Sequence, residues 1–412
     1  MWWYNLGIRF YTGAVRLASP FVRKAALWTQ GRRDIFPQLE RAVGDGGRII
    51  WFHAASLGEF EQGRPVMEAL RERYPDYRIL LTFFSPSGYE IRKNYSGADW
   101  VFYLPADTPR NAARFLDAVK PEMAVFIKYE FWLNSLSALA ERGVPAYIIS
   151  SIFRRDSVFF RPWGGAFRRA LRSFRRLFVQ DAESEELLAG IGVTAVTVAG
   201  DTRFDRVGRI ADGARRLPQV EDFVDGGTVF VAGSTWAPDE ELLVRLMNAN
   251  PDVKFILAPH EMDEKRIGEL EAAVNGGAVR YTRYGEADGG RDKQLLVIDT
   301  IGILSSVYSY GSYAYIGGGF GVGIHNTLEA ATFGMPVAFG PNYAKFREAR
   351  DLVALGAAQS VAGYEELSAW FSALRSDGEA YDRAAKQAAE YVRSHRGATS
   401  IILRELFGEP AE

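Results

Sequence analysis

The chain contains no cysteine. That excludes disulfides, thiolate metal sites and cysteine nucleophiles, and it suits a reducing compartment. Histidine is scarce: His53, His260, His325 and His395 are the only four, and they are far apart in sequence. A zinc site is therefore not expected. Charge of one sign is lacking as well. A net charge of −2 excludes a globally basic nucleic-acid binder, and no nucleic-acid partner is expected. No Asp-x-Asp string occurs, so the sequence offers no such metal motif. What remains is an ordinary folded composition, 48% hydrophobic and 24% charged over 412 residues, which is too long for one ordinary core and suggests two domains.

Long uninterrupted apolar runs are also missing. The closest approach is "MWWYNLGIRFYTGAVRLASPFVRKAALW" at the N-terminus, broken by Arg9, Arg16 and Arg23. The charges make it a poor spanning segment, and no small-residue cleavage site marks a signal peptide. Arginines seven apart fall nearly in line on a helix, opposite Trp2, Phe10, Leu17 and Phe21. That pattern predicts an amphipathic helix lying in a membrane interface, with anionic head groups as its partner. The plainer alternative is a helix packed on its own domain and bent at Pro20.

From residue 48 the sequence alternates. Apolar runs ("RIIWFH", "YRILLTFF", "DWVFYLP", "MAVFIKY", "PAYIISS", "RRLFVQ") are each followed by a helix-like stretch, as in repeated βα units with buried parallel strands. The alternation stops at "VTVAGDTRFDRVGRIADGARRLPQVEDFVDGG" and restarts with "TVFVAGST", "VKFILAP", "QLLVIDT", "YAYIGGG" and "MPVAFGP". The expected organisation is an interface segment 1–33, a first Rossmann-like domain 34–202 and a linker 203–226. A second Rossmann-like domain 227–393 follows, with a C-terminal helix 394–412 able to cross back to the first. The expected class is α/β: two doubly wound domains facing a cleft, with ligands at the carboxyl ends of the strands.

Several strings at strand ends carry chemistry. In "GGGFGVGIHNTLEAATFGMPVAFGP", Gly317, Gly318 and Gly319 let a ligand approach the main chain. A helix expected to start near His325 offers free N–H groups to a phosphate. Asn326 caps that helix or binds ligand, and Glu329 can accept from two ribose hydroxyls. A Gly-rich turn capped by Asn is the alternative. "WFHAASLGEF" puts Glu59 at a strand-to-helix turn, where a general base would stand, with the helix dipole expected to lower its pKa. A first-turn structural Glu is the equal alternative. "FIKYEFWLN" places Lys128 and Glu130 at another strand end, as a functional group or as a structural pair. "AGDTRFDR" brings Arg203 and Asp205 to the domain exit. "VAGSTW", with Ser234 and Thr235, and "LAPHEMDE", with Pro259 and His260, offer donors to phosphate or base.

Together "HAASLGE", "YEFWLN", "GDTRFD", "LAPH" and "GGGFGVGIHNTLEAATFGMPVAFGPNYAKFREA" resemble the 3-deoxy-D-manno-octulosonic acid (Kdo) transferases of Gram-negative lipopolysaccharide synthesis, nearly end to end. The resemblance implies a GT-B glycosyltransferase that moves Kdo from CMP-Kdo to a lipid A precursor at the cytoplasmic face of the inner membrane, without a metal. It implies Glu59 as general base, and Glu130 and Arg203 as stabilisers of the transition state. The nucleotide site would take Ser234, Pro259, His260, Ile301, Gly302, Ile303, Gly318, Gly319, His325, Asn326, Thr327, Leu328 and Glu329. The chain departs from the family at Pro259-His260, where Pro-Arg-His is usual, and at Ile301-Gly302-Ile303, where Met-Gly-Glu is usual. It departs again at Arg203, which replaces Lys, and at Lys128, where many members carry an acid. The rival readings are a GT-B enzyme acting on a UDP-sugar, such as a lipid-A disaccharide synthase or an epimerase, and a non-catalytic nucleotide-binding scaffold.

Overall fold

The computed structural model describes residues 2–44, 46–285 and 290–409. The chain divides into two compact units, residues 1–206 with 396–412, and residues 207–395. In the first unit seven strands form one parallel sheet: β1 Ile49–Ala54, β2 Arg78–Phe83, β3 Trp100–Tyr103, β4 Met123–Ile127, β5 Ala146–Ser151, β6 Arg176–Val179 and β7 Val196–Val198. Their order is β3-β2-β1-β4-β5-β6-β7. The second unit repeats the plan with β8 Val229–Thr235, β9 Lys254–Pro259, β10 Ala278–Arg280, β11 Leu295–Val297, β12 Tyr313–Ile316, β13 Val337–Phe339 and β14 Ala358–Ser360. Here the order is β10-β11-β9-β8-β12-β13-β14, again all parallel.

The apolar runs become strands because helices cover both faces of each sheet. Every residue of β1, β4, β5, β12 and β13 is buried. Such strands read as continuous hydrophobic stretches, which is why the sequence showed them. Strands β7, β10 and β14 have no such run. Each is three residues long and closes an edge, so pairing to one neighbour, not apolar content, makes it a strand. Within 203–226 the chain forms the helices Thr202–Asp212 and Pro218–Val224.

In each unit the sheet reverses direction once, between β1 and β4 and between β8 and β12. At such a switch point neighbouring βα loops diverge and leave a crevice above the strand ends. The chemistry-bearing strings follow these four strands.

The N-terminal segment is two helices, Trp2–Ala18 and Arg23–Gln30, parted by a turn containing Pro20. Arg23 therefore does not share a helix with Arg9 and Arg16. At about 100° per residue, those two lie beside the apolar stripe and not opposite it. The opposite side is taken by residues docked on the first unit. Tyr4 OH donates to Asp107 at 2.7 Å, Asn5 Oδ1 accepts from Asn134 at 2.8 Å, and Tyr11 packs on Trp28 and Phe84. Trp2 (77% exposed), Phe10 (79%), Leu17 (79%) and Phe21 (88%) remain in solvent. The helix packs on its own unit and still presents an unpartnered apolar stripe. No helix among the described residues is long and apolar enough to cross a membrane.

Candidate active site

In the first unit the site begins where β1 runs into the helix Leu57–Arg73. Ser56 is the N-cap of that helix, and Glu59 is its third residue. Glu59 Oε2 accepts from the Ser56 amide at 2.9 Å and from the Ser56 hydroxyl at 3.1 Å. This reciprocal capping folds the carboxylate back over the end of β1. The expected lowering of the Glu59 pKa by the helix dipole is overturned. Burial raises it, and the nearby Glu130 raises it further, outweighing the Ser56 hydrogen bonds and the His53 field that lower it. Desolvation penalises the charged form more than one helix turn can stabilise it. A raised carboxylate is a stronger base, which suits proton abstraction near neutral pH.

Glu130 follows β4, across the switch point from Glu59. It is 7% exposed, and its Oε2 is held by two groups: Trp132 Nε1 donates at 2.6 Å, and His53 Nε2 lies at 3.1 Å. The proton inventory fixes how this works. Trp51 Nε1–H donates to Thr82 Oγ1 at 2.7 Å, and Thr82 Oγ1 lies 2.9 Å from His53 Nδ1. With the Thr82 proton directed to Nδ1, a neutral His53 carries its proton on Nε2 and donates it to Glu130. A buried relay, Trp51 to Thr82 to His53, thereby orients one carboxylate oxygen. The sequence showed His53 at the end of β1 but not its partner, which follows a different strand. Glu130 is thus organised by histidine and indole.

Arg203 sits at the start of the helix Thr202–Asp212 and grips Asp201 through Nε at 2.9 Å and a terminal nitrogen at 2.7 Å. Thr202 anchors this turn to the Glu59 helix through the Gln62 carbonyl, and Arg206 pairs with Glu61 at 2.6 Å. The structure therefore packs the Arg203 turn against the helix that carries Glu59. Asp205 is spent structurally: it accepts from the amides of Gly397 and Thr399, capping the C-terminal helix Ala398–Phe407.

In the second unit the group forms at the ends of β8, β9 and β12. Trp236, His260 and His325 make a stack of rings, with centroids 4.6 and 4.4 Å apart. Trp236 Nε1–H donates to His325 Nε2 at 3.2 Å, which leaves the Nδ1 proton to a ligand. Burial, and then His260, lower the His325 pKa, so it stands as a neutral donor. Asp239 is fully buried and accepts from Tyr315 OH, the Trp236 amide and the Gly318 amide. It was not legible from sequence, where it reads as a first-turn acid. Glu329 Oε1 accepts from Asn326 Nδ2 at 2.9 Å, while Asn326 Oδ1 takes the Leu328 amide at 3.2 Å.

A family model described as 3-deoxy-D-manno-octulosonic-acid transferase (kdotransferase) matches residues 28–206, the strands and loops that hold Glu59, Glu130 and Arg203. The 3-deoxy-D-manno-octulosonic acid transferase of Bordetella pertussis is 27% identical across 97% of this chain and 99% of its own length. The chain belongs to the Kdo transferase family. The enzyme of that name from Aquifex aeolicus is 27% identical over 74% of this chain and 79% of its own. Among solved structures, a UDP-N-acetylglucosamine 2-epimerase covers 89% of this chain and 97% of its own, with a TM-score of 0.58 at 13% identity. That likeness shows the GT-B fold alone.

Against the family expectation, two features of the nucleotide group differ. The helix expected near His325 starts at Leu328 and is four residues long, so its dipole is small. The glycines answer first to packing. A Cβ on Gly317 would lie 2.2 Å from the Ser234 carbonyl oxygen, and one on Gly319 would lie 2.5 Å from the Gly340 Cα. The Gly318 amide is already bonded to Asp239. Thr327 and Leu328 point into the core, both fully buried. Ile301 is 88% exposed, and Gly302 turns the loop after β11 with φ +95°. Pro259 ends β9, and the His260 amide bonds to the Thr235 carbonyl. Arg266, unremarked in the sequence, reaches Glu240 at 3.0 Å and the Thr235 carbonyl at 3.3 Å. It places a cation beside the β8 end.

Proposed function

We propose that the protein is an inverting glycosyltransferase that moves Kdo from CMP-Kdo to a lipid A precursor of the lipid IVA type, at the cytoplasmic face of the inner membrane. The observation that carries the reading is the pair of carboxylates across the first unit's switch point. Glu59 is raised toward basicity, and Glu130 is locked by His53 and Trp132.

Glu59 takes the proton of the acceptor hydroxyl as its oxygen attacks the anomeric carbon. The bond from that carbon to the phosphate oxygen breaks, and CMP leaves with the electron pair. Positive charge builds on the sugar in between, and Glu130 stabilises it electrostatically. Arg203 holds the donor phosphate or the Kdo carboxylate. In the nucleotide site Glu329, steadied by Asn326, accepts from the ribose hydroxyls. His325 donates from Nδ1 to phosphate, and His260 presents a ring face to the base. Ser234, Pro259, the Ile301–Ile303 loop and Gly319 complete the wall. With a monophosphate leaving group held by Arg and His, the scheme invokes no metal ion. The apolar stripe of Trp2, Phe10 and Leu17, edged by Arg9 and Arg16, is the contact with an anionic bilayer, where the lipid acceptor resides.

The test is transfer from CMP-Kdo to a lipid A precursor by the wild type and by Glu59→Ala. Positioned acid–base help is worth about 10²–10⁴ in rate, so the variant loses most turnover while CMP still raises its melting temperature. Stabilisation by UDP and not by CMP would favour a UDP-sugar enzyme instead.

A further inference from the structure

The first unit holds a cavity of about 560 Å³ between the two N-terminal helices and the loop after β3. The proposed transfer assigns it nothing. Arg32 lies in its wall, largely withdrawn from solvent. It donates to three main-chain carbonyls, those of Trp28 at 3.1 Å, Leu104 at 2.8 Å and Phe84 at 2.8 Å, and it stacks 3.9 Å over the Trp28 ring. Among the described residues no carboxylate pairs with it. Burial pulls its guanidinium down to about 9, which still leaves it charged at neutral pH. A buried cation facing only carbonyl oxygens and rings is an unfavourable arrangement unless an anion completes it.

Two further donors in the same wall are unspent. The Trp28 indole N–H, on a residue 5% exposed, has no hydrogen-bond partner, and neither has the buried Thr29 hydroxyl. Buried donors without acceptors are rare in folded proteins and point to a missing ligand or water. Arg16 and Arg33 add exposed charge to the lining. Arg114 lies there too but is paired with Glu40 at 3.0 Å, and Asp34 is the only acid among the described lining residues. The excess is cationic, and the donors are of the kind that surround a phosphate: a planar guanidinium, an indole and a hydroxyl. Arg16 also adjoins Leu17 of the exposed apolar stripe, so an anion seated here would have its hydrocarbon beside Leu17 and Phe10.

We propose that this cavity binds a phosphate group carried on an amphiphile, either the phosphate of the glycolipid acceptor or that of a bilayer phospholipid. The inference deepens the proposed transfer and rests on it only for the acceptor as a source. The Trp28 indole signal, identified among the nine tryptophans by Trp28→Phe, reports on the site directly. The full-length protein is titrated with glucosamine 1-phosphate, with dihexanoyl phosphatidate and with uncharged glucosamine. A saturable downfield shift of the Trp28 N–H with either phosphate, and none with glucosamine, is expected. A shift with the sugar phosphate alone identifies the acceptor, and a shift with phosphatidate alone identifies bilayer lipid. Arg32→Gln removes a side chain that also ties three carbonyls, so the companion variant is R16E/R33E, at exposed positions. It weakens the phosphate response about tenfold and raises the acceptor KM with kcat little changed. No Trp28 shift with any phosphate at millimolar concentration, with acceptor KM unchanged in R16E/R33E, overturns the site while transfer stands. A Trp28 shift in a protein that transfers no Kdo sinks the transfer and leaves the site.

Discussion

Ser56→Ala separates the two things Glu59 does, capping a helix and serving as base. The substitution keeps the Ser56 amide bond to Glu59 Oε2 at 2.9 Å and removes the hydroxyl bond at 3.1 Å. Loss of an N-cap hydroxyl costs about 1 kcal/mol of stability. For a unit of about 200 residues that lowers its melting temperature by about 2–4 °C. The lost bond also favoured the ionised carboxylate. Hydrogen bonds to charged groups are worth about 1.5–3 kcal/mol when buried, and Glu59 is only partly so, which brings the figure to about 1 kcal/mol. At any pH on the acid limb of the rate profile, about fivefold less of the base is ionised. The sign follows from the raised starting point: a carboxyl already lifted by burial and Glu130 is lifted further, and the acid limb of kcat/KM moves to higher pH. The plateau at high pH falls little, because ionised Glu59 still reaches the acceptor. The assay is kcat/KM for Kdo transfer across the acid range, beside a thermal melt. A melt lowered as stated with an unmoved acid limb would refute Glu59 as the titrating base. The wild type carries a linked signature. Because the folded state holds the Glu59 proton more tightly than the unfolded chain, its contribution to stability shrinks as pH rises from the ordinary carboxylate value through the raised one.

His53→Ala leaves the buried Glu130 with Trp132 as its remaining relay partner and strands Thr82 Oγ1. The loss is about 1–3 kcal/mol in stability with at least a roughly tenfold fall in kcat; unchanged kcat would remove the relay from the mechanism. Gly319→Ala forces a methyl to within 2.5 Å of the Gly340 Cα and costs about 1–3 kcal/mol in the second unit, read by thermal melting. An unaltered melt would mean that the glycine serves a ligand and not the packing. Phe10→Ser with Leu17→Ser removes exposed apolar area without touching the docked side of the N-terminal helix. Sedimentation with anionic vesicles falls several-fold while the melt is unchanged, and equal sedimentation would place the bilayer contact elsewhere.

The sequence by itself determined the two parallel sheets and most of their strands. Strands covered on both faces must be apolar throughout, and such runs are visible without a partner. It also determined that chemistry gathers at strand ends, because Glu59, Glu130, His260 and Glu329 each follow an apolar run. The edge strands β7, β10 and β14 were decided by tertiary pairing, since three residues bonded to one neighbour need no hydrophobic signature. The direction of the Glu59 pKa was decided there too. The helix dipole is a local term written in the sequence, whereas burial and the field of Glu130 arise only when β1 and β4 lie side by side. The same holds for the His53–Glu130 pair, for Asp239 beneath the glycine loop, and for the backbone crowding that makes Gly317 and Gly319 necessary. Each depends on residues well separated along the chain, whose approach is fixed by strand order and not by sequence spacing.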